Sequence, residues 1–207
     1  MTKGSRGRWM QRHLDDEYVK RAQRDGYRSR AVYKLIEIDD QYHVLVPGCI
    51  VVDLGAAPGG WSQVAAKRVG RSGEVYALDL LPMTGITNVH FIQGDFREQE
   101  VLDQLNLALK DKGVDLVLSD MAPNISGIKA VDQPGAMYLA ELALEFARQA
   151  LRPGGSMLLK LFQGEGFDQY CSEVRASFNK VLIKKPKASR PKSREVYLLA
   201  TNYGNYR

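Results

Sequence analysis

The segment D-L-G-A-A-P-G-G-W, residues 53–61, follows the apolar run 49–52 and precedes a helix-like stretch that begins near Ser62. Strand, glycine-rich turn and helix N-terminus, in this order, present free backbone N–H groups and the positive end of a helix dipole to a ligand. Three glycines and a proline leave little side-chain bulk, so something must approach the backbone closely. This segment therefore predicts a binding loop at the end of a buried strand.

The rest of the chain alternates between strand-like and helix-like stretches. Apolar runs predict strands at 49–54, 74–79, 89–93, 114–119, 155–161, 179–184 and 195–200. Apolar periodicity predicts helices at 60–69, 99–110, 135–151 and 167–178, with Pro153-Gly154-Gly155 ending the third. The alternation predicts one α/β domain, residues 1–207, with a mostly parallel sheet and helices on both faces. Such sheets bind ligands beyond the carboxyl ends of the strands, where the strand order reverses.

Basic residues are concentrated in two segments. Residues 1–34 hold ten Lys and Arg against four Asp and Glu, and residues 180–194 hold seven basic residues and no acid. Residues 35–179 hold eleven basic against nineteen acidic residues, so an acidic body carries basic segments at both ends. Either segment alone is equally well explained as a solvated face. The two together favour a polyanionic partner, nucleic acid, bound through its phosphates.

The same composition suggests how the segments outside the sheet are organised. We expect a disordered basic arm at 1–12, a helical extension at 13–42 whose second helix is capped by Ser29, and a basic loop at 184–194 without core contacts. A polar, basic N-terminus and the lack of long apolar runs predict no signal peptide and no membrane span. Cys49 and Cys171 lack a redox or metal-binding spacing and are expected to be buried thiols. We expect a cytoplasmic monomer that binds no metal.

Three ligands compete for the glycine-rich loop. A mononucleotide-binding P-loop requires a phosphate-binding lysine where Trp61 stands, and a dinucleotide-binding loop requires a glycine where Ala57 stands. S-adenosylmethionine carries no phosphate and needs no cation in the loop. Asp79 and Asp95, at the ends of the next two strands, favour this third ligand, because they can accept hydrogen bonds from ribose hydroxyls and an adenine amino group. Aspartate is also common in turns, so each acid alone says little.

Charged residues near three other strands predict a reacting centre. Lys160 lies within an apolar strand, which tolerates an unpaired charge poorly, and Asp120 follows the preceding strand. An ion pair between them is favoured over a lysine that reaches solvent. Glu195 opens the last strand and can flank the same place. Lys34 can reach it from the N-terminal helix, although a solvated lysine is an equally good interpretation.

Several motifs between Arg8 and Thr201 carry a family resemblance. They are R-S-R-A-V-Y-K-L, D-L-G-A-A-P-G-G-W-S-Q, D-L-L-P-M, Q-G-D-F-R, S-D-M-A-P-N, A-M-Y-L-x-E-L-A-L, L-K-L-F-Q-G-E-G-F-D and S-R-E-V-Y. Together they resemble the FtsJ family of RNA ribose 2′-O-methyltransferases. They look most like its bacterial branch, which methylates a uridine in the A-loop of 23S ribosomal RNA.

The resemblance implies a Rossmann-like class I S-adenosylmethionine-dependent methyltransferase fold, with a seven-stranded sheet whose last strand is antiparallel. It places the family's catalytic set on Lys34, Asp120, Lys160 and Glu195. It places the contacts to S-adenosylmethionine on Gly59, Trp61, Asp79, Asp95 and Asp120. It also implies ribosomal RNA, within the large (50S) subunit, as the partner.

The implied reaction is attack of a ribose 2′ oxygen on the methyl group of a sulfonium. The hydroxyl must be positioned and must lose its proton as the bond forms. Lys160 either takes this proton or, as a cation, orients the oxygen, and the residues alone leave both roles open. Two other functions compete: a tRNA 2′-O-methyltransferase of the same family, and a non-catalytic RNA-binding factor in ribosome assembly.

Overall fold

The computed structural model describes residues 16–110, 112–123 and 126–204, so the predicted arm at 1–12 lies outside the described residues. The helices are α1 (Glu17–Arg24), α2 (Val32–Tyr42), α3 (Gly60–Val69), α4 (Gln99–Leu109), α5 (Lys129–Ala150) and α6 (Phe167–Arg175). The strands are β1 (Ile50–Leu54), β2 (Glu74–Asp79), β3 (Val89–Gln93), β4 (Val114–Ser119), β5 (Leu151–Phe162), β6 (Phe178–Lys184) and β7 (Glu195–Tyr203).

All seven strands belong to one sheet, in the order β3-β2-β1-β4-β5-β7-β6. The pairs from β3 to β5 are parallel, and β7 is antiparallel to both of its neighbours. The predicted α/β fold with an antiparallel last strand is thereby confirmed. Strand order reverses between β1 and β4, so a crevice opens outside the carboxyl ends of these two strands.

Helices cover both faces of the sheet. The core under α4, α5 and α6 includes Leu105, and the core under α1, α2 and α3 includes Leu35 and Val64. Successive side chains of a strand point to opposite faces, so Val51 of β1 enters the second core and Val52 the first. The central strands are therefore apolar on both sides, which is why their sequences are continuous apolar runs.

The helical extension begins differently from the prediction. Helix α1 is capped by Asp16, whose carboxylate accepts a hydrogen bond from the N–H of Tyr18 at 3.0 Å. Helix α2 starts at Val32 with no side-chain cap, so the prediction that Ser29 caps it is wrong. The Ser29 hydroxyl instead packs against α3, because a Cβ on Gly60 would lie 2.6 Å from it.

The boundary between α5 and β5 also differs from the prediction. Helix α5 begins at Lys129, six residues before the predicted start, and Pro134 lies inside it. The Asp132 carboxylate accepts hydrogen bonds from the N–H groups of Ser126 (2.7 Å) and Gly127 (3.0 Å), which stabilises this earlier start. Strand β5 follows at Leu151, and residues 152–155 form an irregularity in its pairing with β4 rather than a helix-ending loop.

The cysteines and the surface agree with a globular α/β domain. Cys49 and Cys171 are free and buried, as predicted. Among the described residues, no helix has the length and apolar character that a membrane span requires. The same residues contain no group of three or more His, Cys, Asp or Glu side chains arranged around a metal position.

Candidate active site

A cavity of about 450 Å³ opens at the carboxyl ends of β1, β2, β3 and β4. Its walls come from five places in the chain: Gly55 and Ala57, residues 78–81, residues 94–97, residues 120–123, and Gly135, Tyr138 and Leu139 of α5. The walls are largely apolar and include three carboxylates, Asp79, Asp95 and Asp120. A cavity of this size and composition suits one nucleoside-sized ligand.

Asp79 supports the glycine-rich loop from the end of β2. One carboxylate oxygen accepts the N–H of Ala57 at 2.8 Å, and the other accepts the N–H of Leu81 at 2.7 Å. Each oxygen has two lone pairs, so both keep capacity for a ligand donor. The loop is also tied to β2 by the N–H of Gly55, which donates to the carbonyl of Leu78 at 2.9 Å. Asp79 thus shapes the cavity and lines it.

Asp95 presents an ionised carboxylate at the end of β3. The side chain of Arg97 hydrogen-bonds it through Nε and pairs with it through Nη2 at 2.5 Å, and the backbone N–H of Arg97 donates at 3.0 Å. These contacts lower the pKa of Asp95 to about 2. The group is therefore a hydrogen-bond acceptor at every physiological pH, as an adenine amino group requires.

Gly59 and Trp61 lie outside the cavity lining as the structure describes it. The Trp61 side chain is buried, donates its indole N–H to the carbonyl of Ala31 at 2.9 Å, and packs 5.8 Å from the ring of Tyr197. It therefore joins α3 to α2 and β7. Direct contact of these two residues with the methyl donor stays a prediction.

Gly59 is required by its surroundings. Its φ is +105°, and a Cβ there would lie 2.6 Å from Met83 Sδ and 2.9 Å from Arg28 Nη1. The Arg28 guanidinium donates to the carbonyls of Pro58 (3.1 Å), Thr84 (2.7 Å) and Gly85 (2.9 Å). The N-terminal extension thereby holds the glycine-rich loop against the segment that follows β2.

Lys160 and Asp120 form the predicted ion pair across β5 and β4. Lys160 Nζ lies 3.2 Å from Asp120 Oδ1 and donates a hydrogen bond to the backbone carbonyl of Asp120 at 2.5 Å. Asp120 also lines the cavity, so this pair stands at its edge. The carboxylate compensates the lysine charge, which explains how an apolar strand accommodates it.

Lys34 and Glu195 form a second ion pair beside the first. Lys34 Nζ lies 2.7 Å from Glu195 Oε1, and the Lys34 side chain is only 11% exposed. Two cations and two anions thus meet where α2, β4, β5 and β7 converge. The structure brings together all four residues of the predicted catalytic set, which we call the charged set.

Tyr197 links the two pairs and was not predicted. Its hydroxyl accepts a hydrogen bond from Lys34 Nζ at 3.0 Å and donates one to Asp120 Oδ1 at 2.9 Å. Burial, together with the nearby carboxylates of Asp120 and Glu195, raises the pKa of Tyr197 well above 10. The sequence did hold a signal: side chains two apart on a strand share a face, so Tyr197 had to lie beside Glu195.

A family model described as FtsJ-like methyltransferase matches residues 27–203. The chain belongs to the FtsJ-like methyltransferase family. The match includes α2, all seven strands and every residue of the charged set. The chain is therefore a methyltransferase, and its family implies that it uses a methyl donor.

Curated relatives match this methyltransferase over almost its whole length. Ribosomal RNA large subunit methyltransferase E of Chromohalobacter salexigens is 59% identical, over 98% of this chain and 96% of the relative. The protein of the same name from Legionella pneumophila is 58% identical, over 98% of both chains. A crystal structure of a putative ribosomal RNA methyltransferase from Plasmodium falciparum is 33% identical, with a TM-score of 0.77, and covers 86% of this chain and 98% of that one.

Asp53 lies at the end of β1, directly before the glycine-rich loop of the methyltransferase. Its Oδ2 accepts the hydroxyl hydrogen of Ser62 at 2.6 Å, which ties the end of β1 to the first turn of α3. Within the described part of the chain, its Oδ1 has no hydrogen-bond partner. Burial, with the charges of Asp120 and Asp79, raises the pKa of Asp53 to about 7, against the opposing hydrogen bond from Ser62.

The basic loop of the methyltransferase is docked on the body, contrary to the prediction that it makes no core contacts. Strand β6 includes Lys184, so the loop itself runs from residue 185 to 194. Ala188 and Ser189 are buried, whereas Lys187, Arg190 and Lys192 are exposed. Composition did not predict this burial, because the two small residues lie in a highly charged stretch. Only the folded structure shows that they face the body of the protein.

Proposed function

We propose that this methyltransferase transfers a methyl group from S-adenosylmethionine to the ribose 2′-hydroxyl of a uridine in 23S ribosomal RNA of the large subunit. One observation carries the proposal: Asp120 lines the cavity and also contacts Lys160 and Tyr197. A methyl donor bound in the cavity would therefore lie beside Asp120, which belongs both to the cavity wall and to the charged set. The names of the relatives, which refer to ribosomal RNA of the large subunit, support this acceptor.

The chemistry of the cavity fits S-adenosylmethionine. Asp79 would accept hydrogen bonds from the ribose hydroxyls and Asp95 from the adenine amino group, while Leu80, Leu81 and Phe96 supply apolar walls for the base. When bound, S-adenosylmethionine supplies an electrophilic methyl group on its sulfonium. The glycine-rich loop needs no cation for such a ligand, in agreement with Trp61 in place of a lysine.

In this proposal Lys160 holds the acceptor oxygen. The contacts to the carbonyl and carboxylate of Asp120 account for two of the positions around Nζ. If the amine is neutral, the remaining position takes the hydroxyl proton. If it is charged, that position donates an N–H to the 2′ oxygen, and the hydroxyl proton passes to water as the O–CH3 bond forms. Both versions bind the hydroxyl in the same place and differ by one proton.

The dependence of turnover on pH separates these versions. If Lys160 is the base, single-turnover rates rise with pH until the amine is fully deprotonated. If the ammonium only orients the oxygen, the rate falls once the amine loses its proton. The measurement uses rate constants for methyl transfer at saturating donor and RNA, so that binding does not contribute.

The other two members of the charged set, Lys34 and Glu195, stabilise the arrangement of Lys160 and Asp120. Glu195 holds Lys34, and Tyr197 joins Lys34 to Asp120. Removing one partner of a buried pair leaves the other charge without compensation, which is costly. We therefore expect each of the four charged residues to be needed for full turnover.

Transfer from isotope-labelled S-adenosylmethionine tests the proposal on large ribosomal subunits, free ribosomal RNA and tRNA. We expect label in ribosomal RNA, at a ribose whose 3′ phosphodiester resists alkali because its 2′ oxygen is methylated. Lys160→Ala should lower turnover by about 100-fold or more, while donor affinity stays unchanged. Label in tRNA alone would favour the tRNA-directed branch. Donor binding without any transfer would favour the assembly factor.

A further inference from the structure

The basic loop has two faces with different contacts. Lys187, Arg190 and Lys192 are exposed, where cations can neutralise the phosphates of an RNA substrate. On the inner face, Ala188 and Ser189 are 1% and 5% exposed. A segment that only attracts phosphates has no need of a buried serine, so the inner face requires its own explanation.

Ser189 contacts the charged set directly. Its hydroxyl donates to Oε1 of Glu195 at 3.0 Å, and the same oxygen lies 2.7 Å from Lys34 Nζ. A single carboxylate oxygen thus receives one hydrogen bond from the basic loop and one ion pair from α2. Two donors from different segments restrain this oxygen more than Lys34 alone would, so the serine helps to hold the side chain that compensates Lys34.

Three further contacts hold the loop in this place. The N–H of Lys187 donates to Glu37 Oε2 at 2.9 Å, and the guanidinium of Arg30 donates to the carbonyl of Ala188. Lys185 Nζ donates to the backbone carbonyl of Glu195 at 3.1 Å. These contacts fasten the four residues before Ser189 to α2, to Arg30 just before α2, and to the start of β7. A displacement of the loop would move the serine relative to Glu195.

We propose that Ser189 is a positioning residue, which acts through Glu195 on Lys34 and makes turnover depend on the docked basic loop. This inference rests on the proposed function, because it gives Glu195 and Lys34 their part in methyl transfer. In this arrangement one loop contacts RNA with its exposed cations and aligns the charged set with its buried hydroxyl. Contact with RNA and alignment for the reaction are thereby joined in one segment.

A double-mutant cycle on the full-length protein tests this role. Turnover and KM for large ribosomal subunits are measured for Ser189→Ala, Glu195→Ala and the double variant, together with donor affinity. Ser189→Ala should lower kcat about tenfold, the effect of losing one hydrogen bond to a charged group, with little change in KM. In the Glu195→Ala background, Ser189→Ala should have no further effect, because a residue that acts only through Glu195 has nothing left to position.

Two further variants separate positioning from packing. Ser189→Thr keeps the hydroxyl and should restore most of the turnover. Ser177→Ala is the matched control, because Ser177 is also buried and accepts a hydrogen bond from Arg148 Nε at 3.0 Å, far from the charged set. It should leave kcat unchanged.

Several results would overturn the positioning role. Independent, multiplicative effects of Ser189→Ala and Glu195→Ala on kcat would do so, as would a Ser189→Thr variant no more active than Ser189→Ala. If Ser189→Ala kept full turnover while Glu195→Ala were inactive, the positioning role would be wrong but the proposed function would stand. No transfer to RNA by the unsubstituted protein would overturn the proposed function, and the positioning role with it.

Discussion

Tyr197 donates its phenolic hydrogen to Asp120 Oδ1 across 2.9 Å, and the same hydroxyl oxygen accepts a hydrogen bond from Lys34 at 3.0 Å. The phenol stays neutral, because burial and the nearby carboxylates hold its pKa well above 10. One uncharged hydroxyl thus joins Lys34 of α2 to Asp120 at the end of β4. Because Tyr197 is fully buried, water cannot replace either hydrogen-bond partner of its hydroxyl.

Tyr197→Phe should therefore slow methyl transfer while the fold is retained. The substitution removes only the hydroxyl and keeps the ring that packs against Trp61. Single-turnover rates should fall at least tenfold, and the free energy of unfolding should fall by about 1–3 kcal/mol, since two buried polar groups lose a partner. Tyr203→Phe is the matched control, because it deletes a hydroxyl that donates to the carbonyl of Arg148 at 2.7 Å. Equal turnover for the two variants would contradict a role for the Tyr197 bridge.

Reversing the charge of Arg190 and Lys192 should weaken RNA binding without changing donor affinity. Both side chains lie on the exposed face of the basic loop, and neither touches the cavity. If each neutralises one phosphate, the slope of the logarithm of affinity against the logarithm of salt concentration should become shallower by about 2. Filter binding at several salt concentrations measures the slope, and Lys110→Glu, at the exposed end of α4, serves as the control. A parallel loss of donor affinity would show that the loop supports the cavity instead.

The sheet was predictable because its signals are local. Apolar runs such as 114–119 end in Asp or Ser, and amphipathic helices separate them, so strand number and the position of the crevice followed from pattern alone. The ion pair between Lys160 and Asp120 followed from the cost of a lone charge in an apolar strand. The antiparallel direction of β7 was predicted only from the family resemblance, because apolar periodicity and the spacing of the strands do not indicate strand direction.

Contacts between distant segments escaped prediction for a physical reason. Tyr197 and Trp61 carry aromatic side chains that suit a core or a ligand equally well, and their contact with each other forms only once the chain has folded. Ser189 stands in a charged stretch whose docking depends on Glu37 and Arg30, more than 150 residues earlier in the chain. Likewise, α5 starts earlier than predicted because the Asp132 carboxylate accepts a hydrogen bond from the turn before the helix. Helix propensity does not include such a contact.

Gly59→Ala should damage the binding loop. A φ of +105° is strained for any residue with a Cβ, and this Cβ would also lie 2.8 Å from Ile86 Cδ1. We expect the free energy of unfolding to fall by about 1–3 kcal/mol. Donor affinity should also fall, because Arg28 and Met83, which pack against the glycine-rich loop, must shift. Gly85→Ala is the control, since no described atom comes within 4 Å of a Cβ there. Denaturant unfolding and calorimetric titration with S-adenosylmethionine measure both effects, and equal results for the two variants would contradict the prediction.

Asp53 makes the stability of the protein depend on pH. Its folded-state pKa is about 7, above the ordinary 3.8, so the folded protein keeps this proton at pH values where the unfolded chain has lost it. Below about pH 4 both states are protonated, and the group contributes no pH dependence. Stability then falls as pH rises from about 4 to 7 and levels off above the folded-state pKa.

Asp53→Asn should remove this dependence, because an amide does not titrate. Since one unit of pKa corresponds to about 1.4 kcal/mol, the Asp53 carboxyl should cost the unsubstituted protein on the order of 4 kcal/mol between pH 4 and pH 8. The difference in unfolding free energy between the two proteins should change by this amount in favour of the variant as pH rises. Any constant offset, such as that from the new amide N–H group beside Ser62, cancels in this comparison. Urea unfolding curves at four pH values across the range measure it, and a difference that stays constant with pH would show that Asp53 is ionised in the folded protein.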